Sequence, residues 1–296
     1  MVDAERTFPT VRSQGVAIVT DSTTYVPRAL LERWSITPVS LYVGWGGELR
    51  PEHEYADLDA FYARLHDSPE LPKTSQPSVG DFIAVYRPLL EQGRDVVSLH
   101  LAEALSGTCQ SAREAAGMLA AEGFGPTVRV HDAQTGAGGL GVLVLAAAEL
   151  AKRGCSSEEI LDGVARVRAS LGMWFCLDTL EYLRRGGRIG AAQAAVGTAL
   201  RVKPILTFGS EIAPVGRVRT HRRALERMTS YLRELRDSGA RAWIVQHAQS
   251  PDDAERLVRA GRELFGSEPL FCSEVGPVLG AHLGAGVLVG GFTPPG

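Results

Sequence analysis

The first half of the chain alternates between short apolar runs and helical patterns, and this alternation restricts the fold more than any other feature of the sequence. The apolar runs lie at residues 16–19, 96–99 and 128–130. The helical patterns lie at residues 82–90, 106–121 and 138–152. Strands that alternate with helices favour a parallel sheet covered on both faces. We therefore predict an N-terminal three-layer α/β/α domain with a parallel sheet, over residues 1–168.

The second half has a different order of elements. Strand-like runs lie at residues 173–177, 203–208, 211–219 and 242–246, and helical patterns at 180–185, 221–237 and from Ser250-Pro251 onward. The short link Gly209-Ser210 between two of these runs favours an antiparallel hairpin. We predict a C-terminal two-layer α/β domain with a mixed sheet, over residues 169–296.

Composition and charge exclude several classes of protein. The 296 residues are 45% hydrophobic and 22% charged, which is typical of a globular protein, and the net charge of -3 gives no basic surface for nucleic acid. Residues 1–13 lack the apolar segment of a signal peptide, and the longest apolar stretches are shorter than the roughly 20 residues that span a bilayer. We expect a cytoplasmic protein without an integral membrane segment.

Signatures of catalysis and of metal binding are missing from the sequence. It contains no GxSxG, P-loop or HExxH motif, and its acidic residues do not cluster as metal ligands. Cys109, Cys155, Cys176 and Cys272 form no CxxC pair, so neither a zinc site nor a redox motif is indicated, and we expect buried free thiols. The sequence thus predicts no cofactor and no metal.

Two hydroxyl-rich segments are candidates for holding an anion. Thr74 and Ser75 open the segment TSQPS, and Ser106-Gly107-Thr108 precedes a predicted helix. Hydroxyls donate to a carboxylate without adding charge, and the free N–H groups at a helix start favour an anion. Glycine at position 107 would let a ligand oxygen approach the backbone. The alternative to an anion site is a turn followed by a helix cap. We interpret Ser78 as such a cap. For Ser106-Gly107-Thr108 both interpretations stay open.

Three other positions have a structural and a functional interpretation. Residues 20–24, TDSTT, follow the first strand and either contribute to a ligand site or cap a helix through Asp21 or Ser22. Arg188 follows a double glycine that would present it for phosphate recognition, although charge runs are usually solvated surface. His282 lies between Gly280 and Gly284, which would leave room for a ligand, but an isolated histidine among apolar residues is more often part of a core.

Taken in order, these segments resemble the DegV family of fatty-acid-binding proteins. The resemblance runs from about residue 16 to residue 292. It rests on VTDST at 19–23, TSQPS at 74–78, LSGT at 105–108, DTLEYLRRGGRI at 178–189, KPI at 203–205, VRT at 218–220, and Gly276-Pro277 with His282 and Gly284. The stretch before LSGT is often serine-rich in the family, whereas here it is His100-Leu101-Ala102-Glu103.

The resemblance implies a long apolar tunnel between two domains, filled by a long-chain fatty acid. It implies that Thr74 or Ser75, the LSGT motif with Ser106, and His282 bind the carboxylate. It further implies a separate ATP-dependent fatty acid kinase as partner, which phosphorylates the bound carboxylate for phospholipid synthesis. Arginines 188 and 219 are implied to serve kinase docking and transfer.

Two other functions remain compatible with the same residues. One is an enzyme that acts on a small carboxylated or phosphorylated metabolite, with His282 as acid or base. The other is a regulatory protein that senses acyl chains without any kinase. A closed polar pocket favours the enzyme, and a long apolar tunnel favours the carrier.

Overall fold

A computed structural model describes residues 15–125, 127–195, 203–209 and 211–296, so the expectations for residues 1–13 and for Ser210 lie outside it. The strands are β1 (Val16–Asp21), β2 (Ile36–Val39), β3 (Tyr42–Gly44), β4 (Arg50–Pro51), β5 (Lys73–Ser75), β6 (Asp95–His100), β7 (Val128–Asp132), β8 (Gly172–Leu177), β9 (Lys203–Phe208), β10 (Ile212–Val218), β11 (Ala242–Ala248), β12 (Cys272–Glu274) and β13 (Gly286–Phe292). The helices are α1 (Arg28–Arg33), α2 (Leu58–Asp67), α3 (Val79–Glu91), α4 (Thr108–Leu119), α5 (Ala137–Lys152), α6 (Ser157–Ser170), α7 (Glu181–Arg185), α8 (His221–Asp237), α9 (Pro251–Phe265) and α10 (Pro277–Leu283).

The first sheet confirms the predicted parallel architecture. Its order is β2-β1-β6-β7, and every neighbouring pair is parallel. Because side chains alternate along a strand, Ala17 and Val19 pack with α3 and α4 on one face. Val16 and Ile18 pack with α5 and α6 on the other face. The carboxyl ends of β1 and β6 therefore meet at one edge of the sheet.

The second sheet is mixed, as predicted. Its order is β10-β9-β8-β13-β11-β12, and only the β11–β12 pair is parallel. β9 and β10 form the predicted antiparallel hairpin. Met228 of α8 and Leu257 of α9 pack with Val245 on one face of this sheet. The sequence did not reveal that β13 occupies an interior position, between β8 and β11.

Helix α5 lies between the two sheets and joins their cores. Its residues from Ala137 to Ala148 are all buried. Glycines form the closest contacts: a Cβ on Gly138 would lie 2.4 Å from Ile244 of β11, and one on Gly139 would lie 2.9 Å from Met173 of β8. A single hydrophobic cluster consequently runs from Ile18 of β1 to Ile244. The inner face of the mixed sheet is thus covered by a helix that precedes all of its strands in the sequence.

A small antiparallel sheet, β4-β3-β5, was not predicted. It contains Thr74 and Ser75, which pair with Val43 and Tyr42 and therefore lie on a strand. Ser78 caps α3 in a capping box, as expected. The domain boundary predicted after residue 168 falls in the last turn of α6.

The cysteines and the helices bear on two further expectations. All four cysteines are free thiols; Cys109 and Cys176 are buried as expected, whereas Cys155 is half-buried and Cys272, on an edge strand, is exposed. None of the helices within the described ranges combines the length and the apolar character needed to cross a bilayer.

We expect Gly138→Val to lower the free energy of unfolding by about 1–3 kcal/mol, because the added atoms overlap Ile244 and Gln246 and force the two sheets apart. Urea denaturation measures the change. Gly117→Ala is the matched control: this helical glycine of α4 has nothing near its missing Cβ and should gain about 0.4–1 kcal/mol. Equal stability of Gly138→Val and the wild type would contradict the tight contact.

Candidate functional site

A cavity with both polar and apolar walls forms where β5, the loop after β6, α7, the β9–β10 hairpin and α10 meet. Five of the predicted site residues line it, namely Thr74, Ser75, Ser106, Arg188 and His282. Gln76 also lines the cavity. The apolar walls are Leu41, Leu101, Leu105, Leu183, Phe208, Ile212, Val278, Leu279 and Leu283. Residues from both halves of the sequence thus meet around one space.

A hydrogen bond between Thr74 of β5 and His282 of α10 connects two elements of the polar wall. Thr74 Oγ1 lies 2.8 Å from His282 Nε2. The imidazole packs against Gly186, where a Cβ would come within 2.4 Å of Nδ1. The expectation that Gly280 and Gly284 leave room for a ligand was wrong, because Tyr62 and Tyr182 respectively fill that space.

The segment Ser106-Gly107-Thr108 contributes one side chain directly. Ser106 lines the cavity, and its hydroxyl lies 2.8 Å from the hydroxyl of the fully buried Thr108. Gly107 precedes α4 without a side-chain cap. The space beside Gly107 is filled by the amide of Gln76, at 2.6 Å from a hypothetical Cβ, and not left open for a ligand as we expected. Thr108 therefore supports Ser106, and Gly107 makes room for Gln76.

The two predicted arginines occupy different positions. Arg188 is exposed at the rim of the cavity, where its guanidinium donates to the carbonyl oxygens of Gly186 at 2.9 Å and Leu105 at 3.4 Å. It thereby links the turn after α7 to the loop before α4. Arg219 is exposed directly after β10 and is not among the residues that line the cavity.

The other polar segments have structural roles. Asp21 caps the short helical turn after β1 by accepting from Thr23, and its second carboxylate oxygen accepts from the backbone N–H of Leu101. The capping interpretation of residues 20–24 therefore holds for Asp21. Glu103, at the departure from the family pattern, is exposed and pairs with Arg113, so it does not contribute to the cavity wall. No group of three or more metal-ligating side chains occurs among the residues described.

Comparison with known proteins identifies the family of this chain. A sequence profile of the family described as "Uncharacterised protein, DegV family" matches residues 15–293. This chain belongs to the DegV family. A DegV domain-containing protein of Streptomyces coelicolor is 41% identical over 280 residues, which cover 93% of this chain and 97% of the relative.

Solved structures of DegV family members have the same fold. A fatty-acid-binding DegV family protein from Thermus thermophilus superimposes with a TM-score of 0.83 at 33% identity, covering 94% of this chain and 99% of the other. DegV from Bacillus subtilis, a fatty acid binding protein, gives a TM-score of 0.83 at 33% identity, covering 95% and 100%. These matches extend over both sheets of the DegV fold.

The cavity of this DegV family member is small. Its volume is about 60 Å³, enough for about four to six water-sized groups. A carboxyl head group fits this space, whereas a chain of sixteen carbons needs several times as much. Among the residues that the structure describes, the long tunnel that the resemblance implies is therefore not open at this site.

The imidazole at the cavity is neutral near pH 7. Burial lowers the pKa of His282 to about 4, and the positive charge of Arg188 acts in the same direction. A neutral imidazole donates from one nitrogen only, so His282 offers a single hydrogen bond either to Thr74 or to a ligand. Nδ1 has no partner among the described residues.

We expect His282 to make the protein sensitive to acid. Between about pH 4 and 6.5 the unfolded chain binds a proton at this residue that the folded protein does not bind. The resulting stability is complete above pH 6.5 and is lost as the pH falls. The free energy of unfolding of the wild type minus that of His282→Gln should therefore grow by about 2–3 kcal/mol from pH 4 to 6.5.

Urea denaturation across this pH range measures the difference in stability between the wild type and His282→Gln. Groups that titrate in the same way in both proteins do not contribute to this difference. An NMR titration of the His282 ring provides the independent control. A midpoint near 6.5 in the folded protein would contradict the buried neutral imidazole.

Proposed function

We propose that this chain binds a long-chain fatty acid, with the carboxylate in the cavity, and presents that carboxylate to a separate ATP-dependent fatty acid kinase. The observation that carries the proposal is the pairing of hydroxyl and imidazole donors with apolar walls around one space. Two solved relatives at 33% identity are fatty-acid-binding proteins, which supports the choice of ligand.

The polar wall suits a carboxylate because it supplies donors without a buried cation. Ser106, Ser75 and Thr74 can each donate a hydroxyl hydrogen, and neutral His282 can donate one N–H. A buried carboxylate without donors would cost several kcal/mol, so these groups determine the orientation of the ligand. Neutral donors also leave one carboxylate oxygen available for reaction with a partner.

The apolar walls supply the affinity for the acyl chain. Transfer of sixteen methylenes from water provides roughly 13 kcal/mol, and ordering of the chain offsets a substantial part. A second, smaller cavity shares Leu283 with the first, and its other walls include Phe175, Leu177, Val275 and Leu288. We propose that the chain extends past Leu283 into this cavity, whose walls separate on binding.

The exposed arginines suit the kinase step. Arg188 is at the rim of the cavity and Arg219 on the surface after β10, so both are accessible to a docked protein. In the proposed step a carboxylate oxygen attacks the γ-phosphorus of ATP held by the kinase, and the bond to ADP breaks. The products are acyl phosphate, which remains on this chain for use in phospholipid synthesis, and ADP. Arginine stabilises the charge on the transferred phosphoryl group.

A small carboxylated metabolite is the competing ligand. The volume of about 60 Å³ favours it, because a molecule of that size fits without any movement of the walls. An enzyme acting on such a metabolite would use His282 as its acid or base. The two proposals differ in the length of the apolar tail that the protein accepts.

Ser106→Ala should weaken binding of a sixteen-carbon fatty acid by about tenfold, because one donor to the buried carboxylate is lost. Mass spectrometry of the ligand that co-purifies with the wild type establishes the ligand class, and a fluorescence titration gives the affinities. Ser78→Ala is the matched control, since this serine of the same TSQPS segment caps α3 and is not in the cavity wall. Recovery of a small metabolite in place of a fatty acid would refute the carrier function.

Arg188→Ala and Arg219→Ala should each leave the affinity for fatty acid within about twofold of the wild type and lower acyl-phosphate formation at least about tenfold. The assay contains the purified kinase, ATP and the loaded protein. Arg184→Ala serves as control, because this exposed arginine pairs with Glu181 on α7 and is not in the cavity wall. Loss of fatty-acid binding with normal phosphorylation would reverse the assignment.

A further inference from the structure

A buried carboxylate outside the cavity holds the start of α10. Glu52 is 5% exposed and begins a short helical turn after β4. Its Oε1 accepts hydrogen bonds from the Tyr25 hydroxyl and from the backbone N–H of Val278, both at 2.7 Å. Its Oε2 accepts from the Ser22 hydroxyl at 2.5 Å. All three partners of this carboxylate are donors.

Helix α10 has no cap from its own sequence. The N-cap residue, Gly276, has no side chain, and a Cβ there would lie 2.5 Å from the ring of Tyr25 and 2.9 Å from Glu52 Oε1. The Tyr25 hydroxyl accepts the next N–H, that of Leu279, at 3.0 Å. Two successive N–H groups that the helix leaves free are therefore satisfied by side chains from the other end of the sequence.

The residues that follow this cap form one wall of the cavity. Val278, Leu279, His282 and Leu283 all line it, and His282 lies one helical turn after Val278. Glu52 does not line the cavity; together with Ser22, Tyr25 and Pro277 it lines a separate groove. Because only one helical turn separates Val278 from His282, the position of the first turn of α10 affects where His282 lies relative to Thr74.

We propose that Glu52 is a positioning residue for head-group recognition, which holds α10 so that His282 and Thr74 together face the ligand carboxylate. Glu52 itself never touches the ligand. This inference rests on the proposed function, and it adds a residue that controls the discrimination between an acid and a neutral head group of the same chain length.

The charge of Glu52 matters because it lies at a helix N-terminus, where a negative charge is favourable. Burial raises the pKa of Glu52 to about 6, and the charge of Asp21 adds to this effect, while the hydrogen bonds from Ser22, Val278 and Tyr25 oppose it. Other titratable groups also face this region. Tyr62 of α2 interacts with both Glu52 and Glu274 of β12, and the groove that Glu52 lines also contains Arg28 and Glu32 of α1, His53 and Tyr55. Helix α10 carries no titratable side chain besides His282. Protonation of Glu52 should therefore loosen the α10 cap below about pH 6.

Glu52→Gln tests the inference with a side chain of the same shape and no charge. The affinities for hexadecanoic acid and for hexadecanol are measured by titration at pH 7.5. We expect the affinity for the acid to fall by about tenfold, as for loss of a hydrogen bond to a charged group, and the affinity for the alcohol to change by less than twofold. Glu54→Gln, on the same turn but exposed, should match the wild type.

Two further readouts separate positioning from a general loss of structure. Between pH 7 and 5.5 the affinity for the acid should fall more in the wild type than in Glu52→Gln. Without ligand, the NMR signal of the His282 ring in Glu52→Gln should be shifted from that of the wild type. If Glu52→Gln does not fold, Tyr25→Phe, which removes the hydroxyl that bonds Glu52 and Leu279, should give the same change in the acid-to-alcohol ratio.

Equal losses for acid and alcohol, or an unchanged acid affinity, would overturn the role of Glu52. A wild type that binds neither ligand would instead refute the proposed function.

Discussion

The glycines of α5 allow one helix to pack against two sheets at the same time. Gly138 contacts β11 and Gly139 contacts β8, while the same helix packs on β1. Protein interiors tolerate little extra volume, so this contact determines the separation of the sheets. The cavity depends on that separation, because Ser106 follows a strand of the parallel sheet whereas Phe208 belongs to the mixed sheet.

Helix α10 carries His282 and so connects the packing of the two sheets to the polar wall of the cavity. Its first turn is held by Glu52 and Tyr25, its middle by the ring of Tyr62 against Gly280, and its end leads directly into β13. His282 is therefore fixed by contacts with both halves of the chain. Such support from packed neighbours keeps a binding side chain in position before a ligand arrives, which lowers the entropic cost of binding.

The sequence predicted the features that depend on local periodicity or on the order of motifs, namely the long helices and the family. The bounds of α8 (His221–Asp237) agree with the prediction, because its long amphipathic pattern is unambiguous. The strands of the small sheet have only two or three residues, too few to show a period. Gly284 was misinterpreted because nothing in the sequence shows that Tyr182 lies against it. Glu52 gave no signal at all, since its partners Tyr25 and Val278 are 27 and 226 residues away.

The interior position of β13 has a consequence for the order in which the molecule is assembled. The four strands of the parallel sheet lie within residues 16–132, so that sheet can form while the ribosome is still synthesising the rest. β8 and β11 pair only through β13, which follows every other strand of their sheet. Until β13 has been synthesised, the face of α5 that packs on the mixed sheet is exposed to chaperones or aggregation. The mixed sheet can therefore be completed only after β13, and the cavity wall that precedes it, have been synthesised.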